Sequence, residues 1–192
     1  MTPADDDKHL LKDPVSEEDW TRGPVDAPAT LVEYADYQCP DCQASYPVIE
    51  RVLAGFGDRV RFVVRQFPLV SRHPLAQAAA LASEAAGRQG KFWEMHRRLM
   101  EARGKLEPTD LLRHARESGL DIEQWQRDMS APALAERIAQ TKRLGVRSGA
   151  NGTPTLFING VRYEGETRPV REEELRAAIE EALRAGATAS PG

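Results

Sequence analysis

The stretch Thr30-Leu31-Val32-Glu33-Tyr34-Ala35-Asp36-Tyr37-Gln38-Cys39-Pro40-Asp41-Cys42 decides how this chain reads. From Thr30 to Tyr37 it is a nearly continuous run of strand formers behind the turn residues Asp26 to Pro28, the pattern of a strand buried on both faces. The cysteines follow at once. Val48, Ile49, Val52, Leu53 and Phe56 then recur at helical spacing, closing at Gly55 and Gly57, and Val60-Arg61-Phe62-Val63-Val64 is a second strand. The cysteine pair therefore sits in the turn between strand and helix of a β-α-β unit.

Two cysteines at i and i+3, where a helix opens, let one sulfur face outward while the other lies behind it within bonding reach. The free N–H groups and positive dipole end of the helix favour thiolate at the first position. Cys39 is thus the expected nucleophile, and Cys42 the thiol that resolves a mixed disulfide. These are the only two cysteines in the chain, so no disulfide framework staples the fold, and the pair serves chemistry or a metal. Cys-x-x-Cys is also half of a zinc site. The other ligands would have to come from His9, His73, His96 or His114, none at a zinc spacing from another, so redox chemistry is preferred and no metal ligand is assigned.

A length of 192 residues suits one domain with an elaboration. Apolar residues at 41% against 29% charged make a globular balance, and a net charge of -4 gives nucleic acid no basic surface to bind. No segment approaches the ~20 apolar residues of a membrane span. Asp5-Asp6-Asp7-Lys8 stands where a secretory leader would be basic and then apolar, so a cytoplasmic location is expected, or an exported one if a leader has been removed. A monomer is the working expectation, though no residue pattern speaks to oligomeric state.

Residues 1–24, polar and holding Pro3, Pro14, Gly23 and Pro24, read as a tail and linker with one short turn near Glu17 to Trp20. Beyond Leu69 the periodicity is helical. Pro74 opens a helix ending at Gly87, Lys91 to Arg103 is a second, and Pro108 and Gly119 bracket a third. Asp121 starts a short fourth through Trp125, and Ser130 with Pro132 starts a fifth to about Leu144. His73 reads as the cap of the first of these helices, and Trp93 and Trp125 as their core. Strand character returns at Thr155-Leu156-Phe157-Ile158, and Asn159-Gly160 ahead of Val161-Arg162-Tyr163 signals a two-residue hairpin. Leu175, Ala178, Ile179, Ala182 and Leu183 then share one helical face behind Glu172, Glu173 and Glu174 in the first turn. The organisation is a core domain from residues 25–71 and 146–186, an all-helical insertion at 72–145, and tails at 1–24 and 187–192.

Together these residues resemble the thioredoxin superfamily, and within it the DsbA-like branch with a helical insertion. The likeness covers roughly residues 24–185. It rests on Asp26-Ala27-Pro28, Asp36-Tyr37-Gln38-Cys39-Pro40-Asp41-Cys42, His73-Pro74, Gln89-Gly90-Lys91-Phe92-Trp93 and Gly152-Thr153-Pro154-Thr155-Leu156-Phe157-Ile158-Asn159-Gly160. It implies an α/β thioredoxin-like fold, a mixed β-sheet flanked by helices with an inserted all-helical subdomain. The implied activity is disulfide exchange with protein thiol or disulfide substrates. That would need a partner to recycle the pair, and no cofactor beyond the redox-active disulfide Cys39–Cys42.

The resemblance also implies a cis bond at Thr153-Pro154, in a loop set against the cysteines that shapes the substrate groove; alone, that proline reads as an ordinary trans residue starting a strand. It implies that Glu33, six residues before Cys39, is an acid buried beneath the pair and able to relay the proton when Cys42 attacks, a reading preferred to that of a solvent-facing strand residue. Pro40 and Asp41 would tune the pair. Asp41 departs from the histidine of strongly oxidising members, and a screened penalty of ~1 kcal/mol on the thiolate would lower the potential by roughly 20 mV. Pro47, within the active-site helix, resembles thioredoxins themselves and should bend it. The direction of electron flow stays open, with Asp41 and a cytoplasmic location favouring reduction and DsbA kinship favouring oxidation. So do two other readings: a non-catalytic redox sensor or binding module, and a Cys/His metal-binding module.

Overall fold

The structure, a computed structural model, describes residues 10–165 and 168–188. Among these residues five strands form one mixed sheet in the order β1-β3-β2-β4-β5. At its centre β2 (Ala29–Ala35) and β3 (Val60–Gln66) run parallel, joined by the crossover helix α1 (Pro40–Phe56). Flanking them antiparallel are β1 (Trp20–Arg22) on β3 and β4 (Thr155–Ile158) on β2, with β5 (Val161–Arg162) at the far edge. Between β3 and β4 come α2 (Ala76–Gly87), α3 (Phe92–Met100), α4 (Pro108–Glu117), α5 (Ile122–Met129) and α6 (Pro132–Arg147), and α7 (Glu172–Thr188) closes the chain.

Local chemistry explains most boundaries. Proline opens α1, α4 and α6, where its missing N–H has no helical partner to lose. Asp121 caps α5 by accepting from the Gln124 amide at 2.9 Å. Asn159 (φ 48°) and Gly160 (φ 80°) both adopt the left-handed region that a two-residue hairpin demands. The Asn159 side chain then ties the turn to the head of β2, accepting from the Thr30 amide at 2.7 Å.

Strand alternation divides the interior into two cores. Leu31, Ala35, Phe62, Val64, Leu156 and Ile158 face α1, α7 and most of the helical block. Val32, Tyr34, Val63, Phe67 and Phe157 face the other way into a smaller core. Gly145 of α6 lies against Tyr34 and Phe67 there, so closely that a Cβ would strike both rings. The last helix of the insertion therefore also covers the second face of the sheet.

The N-terminal segment departs from its reading as a tail. β1 supplies an edge strand, Leu10 bridges to Val161, and Leu11 and Val15 pack on the smaller core. Buried Arg65 anchors the segment, donating to both carboxylate oxygens of Asp19 at 2.8 and 2.9 Å and to the carbonyls of Asp13 and Pro14. The reason is physical: three residues with no alternation carry no strand signal, and the guanidinium that organises them lies more than forty residues away. At the other end α7 runs through Thr188, past the expected boundary at 187. Residues 1–9 and 189–192 of the two expected tails lie outside the described residues.

Candidate active site

The end of β2 sets up the cysteine turn. Cys39 is the N-cap of α1, its backbone extended (φ -70°, ψ 121°), and its amide donates to the Asp36 carbonyl at 3.1 Å. The Gln43 amide returns to the Cys39 carbonyl at 3.1 Å, while the Gln43 side chain donates to the Tyr37 carbonyl at 2.7 Å. Both cysteines are unbridged and buried, Cys42 completely and Cys39 with 5% exposure. Pro40 is exposed at the first helical position, and Asp41 is half-buried behind it.

The loop before β4 closes on this turn. Thr153–Pro154 is cis, both residues are buried, and the Cys39 thiol donates to the Thr153 carbonyl at 3.3 Å. The Thr153 hydroxyl is buried without a partner of good hydrogen-bond geometry, and lies near enough to the Cys39 sulfur to favour its thiolate. The Val170 amide donates to Ser45 of α1 at 3.0 Å, fixing the chain ahead of α7 to the same helix.

The two sulfurs are electrostatically unlike. A hydrogen bond from the Cys42 thiol, then the Thr153 side chain and the amides of Cys42 and Asp41, outweigh desolvation and lower the Cys39 pKa to about 6. Burial drives Cys42 well up instead, reinforced by its bond to Cys39 and by the charge of Glu33. Glu33, 1% exposed in the middle of β2, has its carboxyl pushed up to about 8 by burial first, then by the charges of Glu50 and Cys39. One of its oxygens is buried with no partner. The site thus sets an acidified thiol beside one whose ionisation burial opposes, with a carboxyl raised toward neutrality in the same interior.

Two further groups carry the turn, and sequence reasoning missed both. Asp36, fully buried, accepts from the amides of Gln38 and Leu69 and from His73 Nδ1, each at 2.8 Å. His73 is therefore not the cap of α2: the amide of Leu75 at that helix start donates instead to Gln38 Oε1 at 2.6 Å. The Tyr37 hydroxyl meets His96 Nδ1 at 3.0 Å inside a box of Tyr46, Phe92 and Trp93 rings. Burial, with help from Arg22, lowers the His96 pKa to about 3, so the ring is neutral. Trp125 donates to the Ala82 carbonyl and Trp93 to that of Thr21, both as packed members of the helical block. Among the described residues no three His, Cys, Asp or Glu side chains converge to hold a metal ion, and no helix is long and apolar enough to cross a membrane.

A profile of the family described as thioredoxin matches residues 15–181. A thioredoxin-like oxidoreductase from Silicibacter pomeroyi is 32% identical, with a TM-score of 0.76 over 94% of this chain and 97% of that one. Oxidised BdbD from Bacillus subtilis, at 22% identity, shares the fold with a TM-score of 0.79 over 92% of this chain and 98% of its own. A protein of Salinispora tropica named Na(+)/H(+) antiporter NhaA 3 is 41% identical over 179 residues, which are 93% of this chain and 25% of that protein. The chain spans about a quarter of the length of the curated relatives it matches. With the profile covering most of the chain, this protein belongs to the thioredoxin family.

Proposed function

We propose that the chain is a protein thiol–disulfide oxidoreductase that works through Cys39 and Cys42. The observation that carries this reading is geometric: Cys39 caps the N-terminus of α1, Cys42 lies buried behind it, and the cis Thr153–Pro154 loop meets the Cys39 sulfur at 3.3 Å. Cys39 thiolate attacks a substrate disulfide, and Cys42, giving its proton to Glu33, then attacks Cys39 to release reduced substrate and close the pair. Thr153 and Pro154 form the wall along which an extended substrate segment lies, and Pro40 and Asp41 set the electrostatics of the turn. The cysteine pair itself is the redox group, and no prosthetic group or metal takes part.

The potential follows from the thiolate. Thioredoxin, at a pKa of about 7, stands near -270 mV, and DsbA, at about 3.5, near -120 mV. Cys39 at about 6 falls between them, so the expected potential lies between those two values. Such a pair is poised for exchange in either direction, and the surrounding pool decides which. In a reducing compartment it would act as a reductase or isomerase, and in an oxidising one as a disulfide donor.

The test is Cys42→Ser in cells. An oxidoreductase accumulates mixed disulfides between Cys39 and many proteins. The antiporter names of relatives in which this segment is a quarter of the length favour one second reading, a redox sensor module serving a membrane transporter. That reading expects one trapped partner or none.

A further inference from the structure

The Asp36–His73 pair is left unused by the chemistry above, and its geometry is that of an oriented base. Asp36 is wholly buried, and its Oδ2 receives His73 Nδ1 at 2.8 Å. With Nδ1 donating to a carboxylate, a neutral imidazole carries its hydrogen there and presents the Nε2 lone pair at its other end. Among the described residues Nε2 has no hydrogen-bond partner and is not enclosed: the side chain is 17% exposed.

The ring is also held at the cysteine turn. The carbonyl of the same Asp36 accepts from the Cys39 amide at 3.1 Å, and the Leu75 amide, two residues beyond His73, is bonded to Gln38, the neighbour of Cys39. The third acceptance by Asp36, from the Leu69 amide, closes the 69–75 loop against the turn, with Val70 (51% exposed) and Pro74 on its outer side. A buried carboxylate, an imidazole oriented by it, and an open ring nitrogen on a loop bonded to the cysteine turn are parts from which proton transfer to a reacting group is built.

We propose that His73 is a further catalytic residue, which through Nε2 takes the proton from an attacking substrate thiol and returns it to a departing one. The inference rests on the thiol–disulfide exchange reading. In the oxidising direction a substrate thiol gives its proton to Nε2 and its sulfur attacks Cys39 of the disulfide. A bond forms between substrate sulfur and Cys39, the Cys39–Cys42 bond breaks, and Cys42 leaves with the electron pair and is protonated by Glu33. A second substrate thiol, losing its proton to solvent, attacks the first substrate sulfur and releases Cys39 as thiolate. Two electrons pass from two substrate thiols to the pair. In the reducing direction Cys39 attacks a substrate disulfide, and the His73 imidazolium protonates the sulfur that leaves. A free thiol has a pKa of about 8.5, so below that pH the transfer has a barrier for His73 to lower.

The experiment is single-turnover oxidation of a reduced two-cysteine peptide by the disulfide form of the full chain, comparing the unaltered protein with His73→Gly and His73→Gln from pH 6 to 9. The expected result is mixed-disulfide formation slowed about 10-fold or more near pH 6.5, the gap narrowing toward pH 9 where the peptide is itself thiolate. Free imidazole should restore His73→Gly without accelerating the unaltered protein, and the reduction potential of both variants should be unchanged. Equal rates at every pH would overturn the proposal. So would a slow variant that neither converges at high pH nor responds to imidazole, which marks His73 as a strut. If the unaltered protein exchanges no disulfide, the oxidoreductase reading fails and takes this role with it; failure of the variants' signature alone leaves that reading standing.

Discussion

The Cys39 sulfur lies 3.3 Å from the carbonyl oxygen of Thr153, a residue 114 positions away in the chain. Everything between them, the crossover helix, β3 and the whole helical block, is an excursion that returns to the same point of the sheet. The contact arises because β4 pairs antiparallel with β2, Tyr34 opposite Thr155, so the loop before β4 must start where β2 hands over to the cysteine turn. Cys39 and the Thr153–Pro154 loop beside it are positioned by sheet register.

Alkylation of the reduced protein by iodoacetamide should therefore follow a titration with its midpoint near pH 6, and modify Cys39 alone, Cys42 being buried and raised. Peptide mapping across pH 4 to 9 checks both. A midpoint near the ordinary thiol value of about 8.5 would mean that the helix start and Thr153 do not stabilise the thiolate.

Glu33 should make the protein less stable as pH rises. Its folded pKa of about 8 lies above the unfolded value of 4.5, so the folded state binds the extra proton between them. The stability this proton linkage supplies is complete below pH 4.5 and lost as pH climbs through 8. Glu33→Leu removes the term, and urea unfolding should find the variant more stable than the unaltered protein above pH 8, by up to about 5 kcal/mol, with the advantage shrinking toward pH 5. The same variant should resolve mixed disulfides more slowly, since Cys42 loses its proton acceptor. A stability gain that did not depend on pH would contradict the raised acid.

His96→Leu keeps the bulk of the ring but leaves the buried Tyr37 hydroxyl without its acceptor. The expected loss is about 1–3 kcal/mol by chemical denaturation. His96→Gln, which retains an acceptor, should recover part of it. Because the folded pKa of about 3 lies below the unfolded 6.5, the unfolded state gains a proton as pH falls below 6.5; both variants remove that linkage, so each loss should be full at pH 8 and shrink toward pH 5.

Gly87→Ala tests the clasp between β1 and the helical block. A Cβ there would strike the ring of Trp20; that ring stacks on Phe92 at 4.6 Å and donates from Nε1 to Glu84 at 2.9 Å. Overpacking of this kind costs about 1–3 kcal/mol. A thermal melt should show it, and a neutral effect would mean that β1 is not a working part of the core.

How legible each part was in the sequence depends on where its cause lies. β2, the cysteine helix, the Asn159-Gly160 turn and α7 were readable because strand runs, Cys-x-x-Cys spacing, left-handed turn residues and a helical apolar face are written in consecutive residues. Glu33 stood out as a lone acid in an apolar strand, although only the fold could tell its buried face from an exposed one. β1 was invisible, since Trp20–Arg22 becomes a strand only by pairing with residues 62–64 and by the hold of Arg65 on Asp19. The links from Asp36 to His73 and from Tyr37 to His96 join residues 37 and 59 positions apart. No local pattern specifies such partners; His73 beside Pro74 looked like a helix cap because that is the short-range use of its residue type.

The most direct test of the account is the redox equilibrium of the Cys39–Cys42 pair in glutathione buffers of graded ratio, read by thiol trapping and mass. A single reversible two-electron transition with a midpoint between the thioredoxin and DsbA values of about -270 and -120 mV is the expected result. A pair that shows no reversible two-electron transition between dithiol and disulfide would contradict the oxidoreductase reading outright.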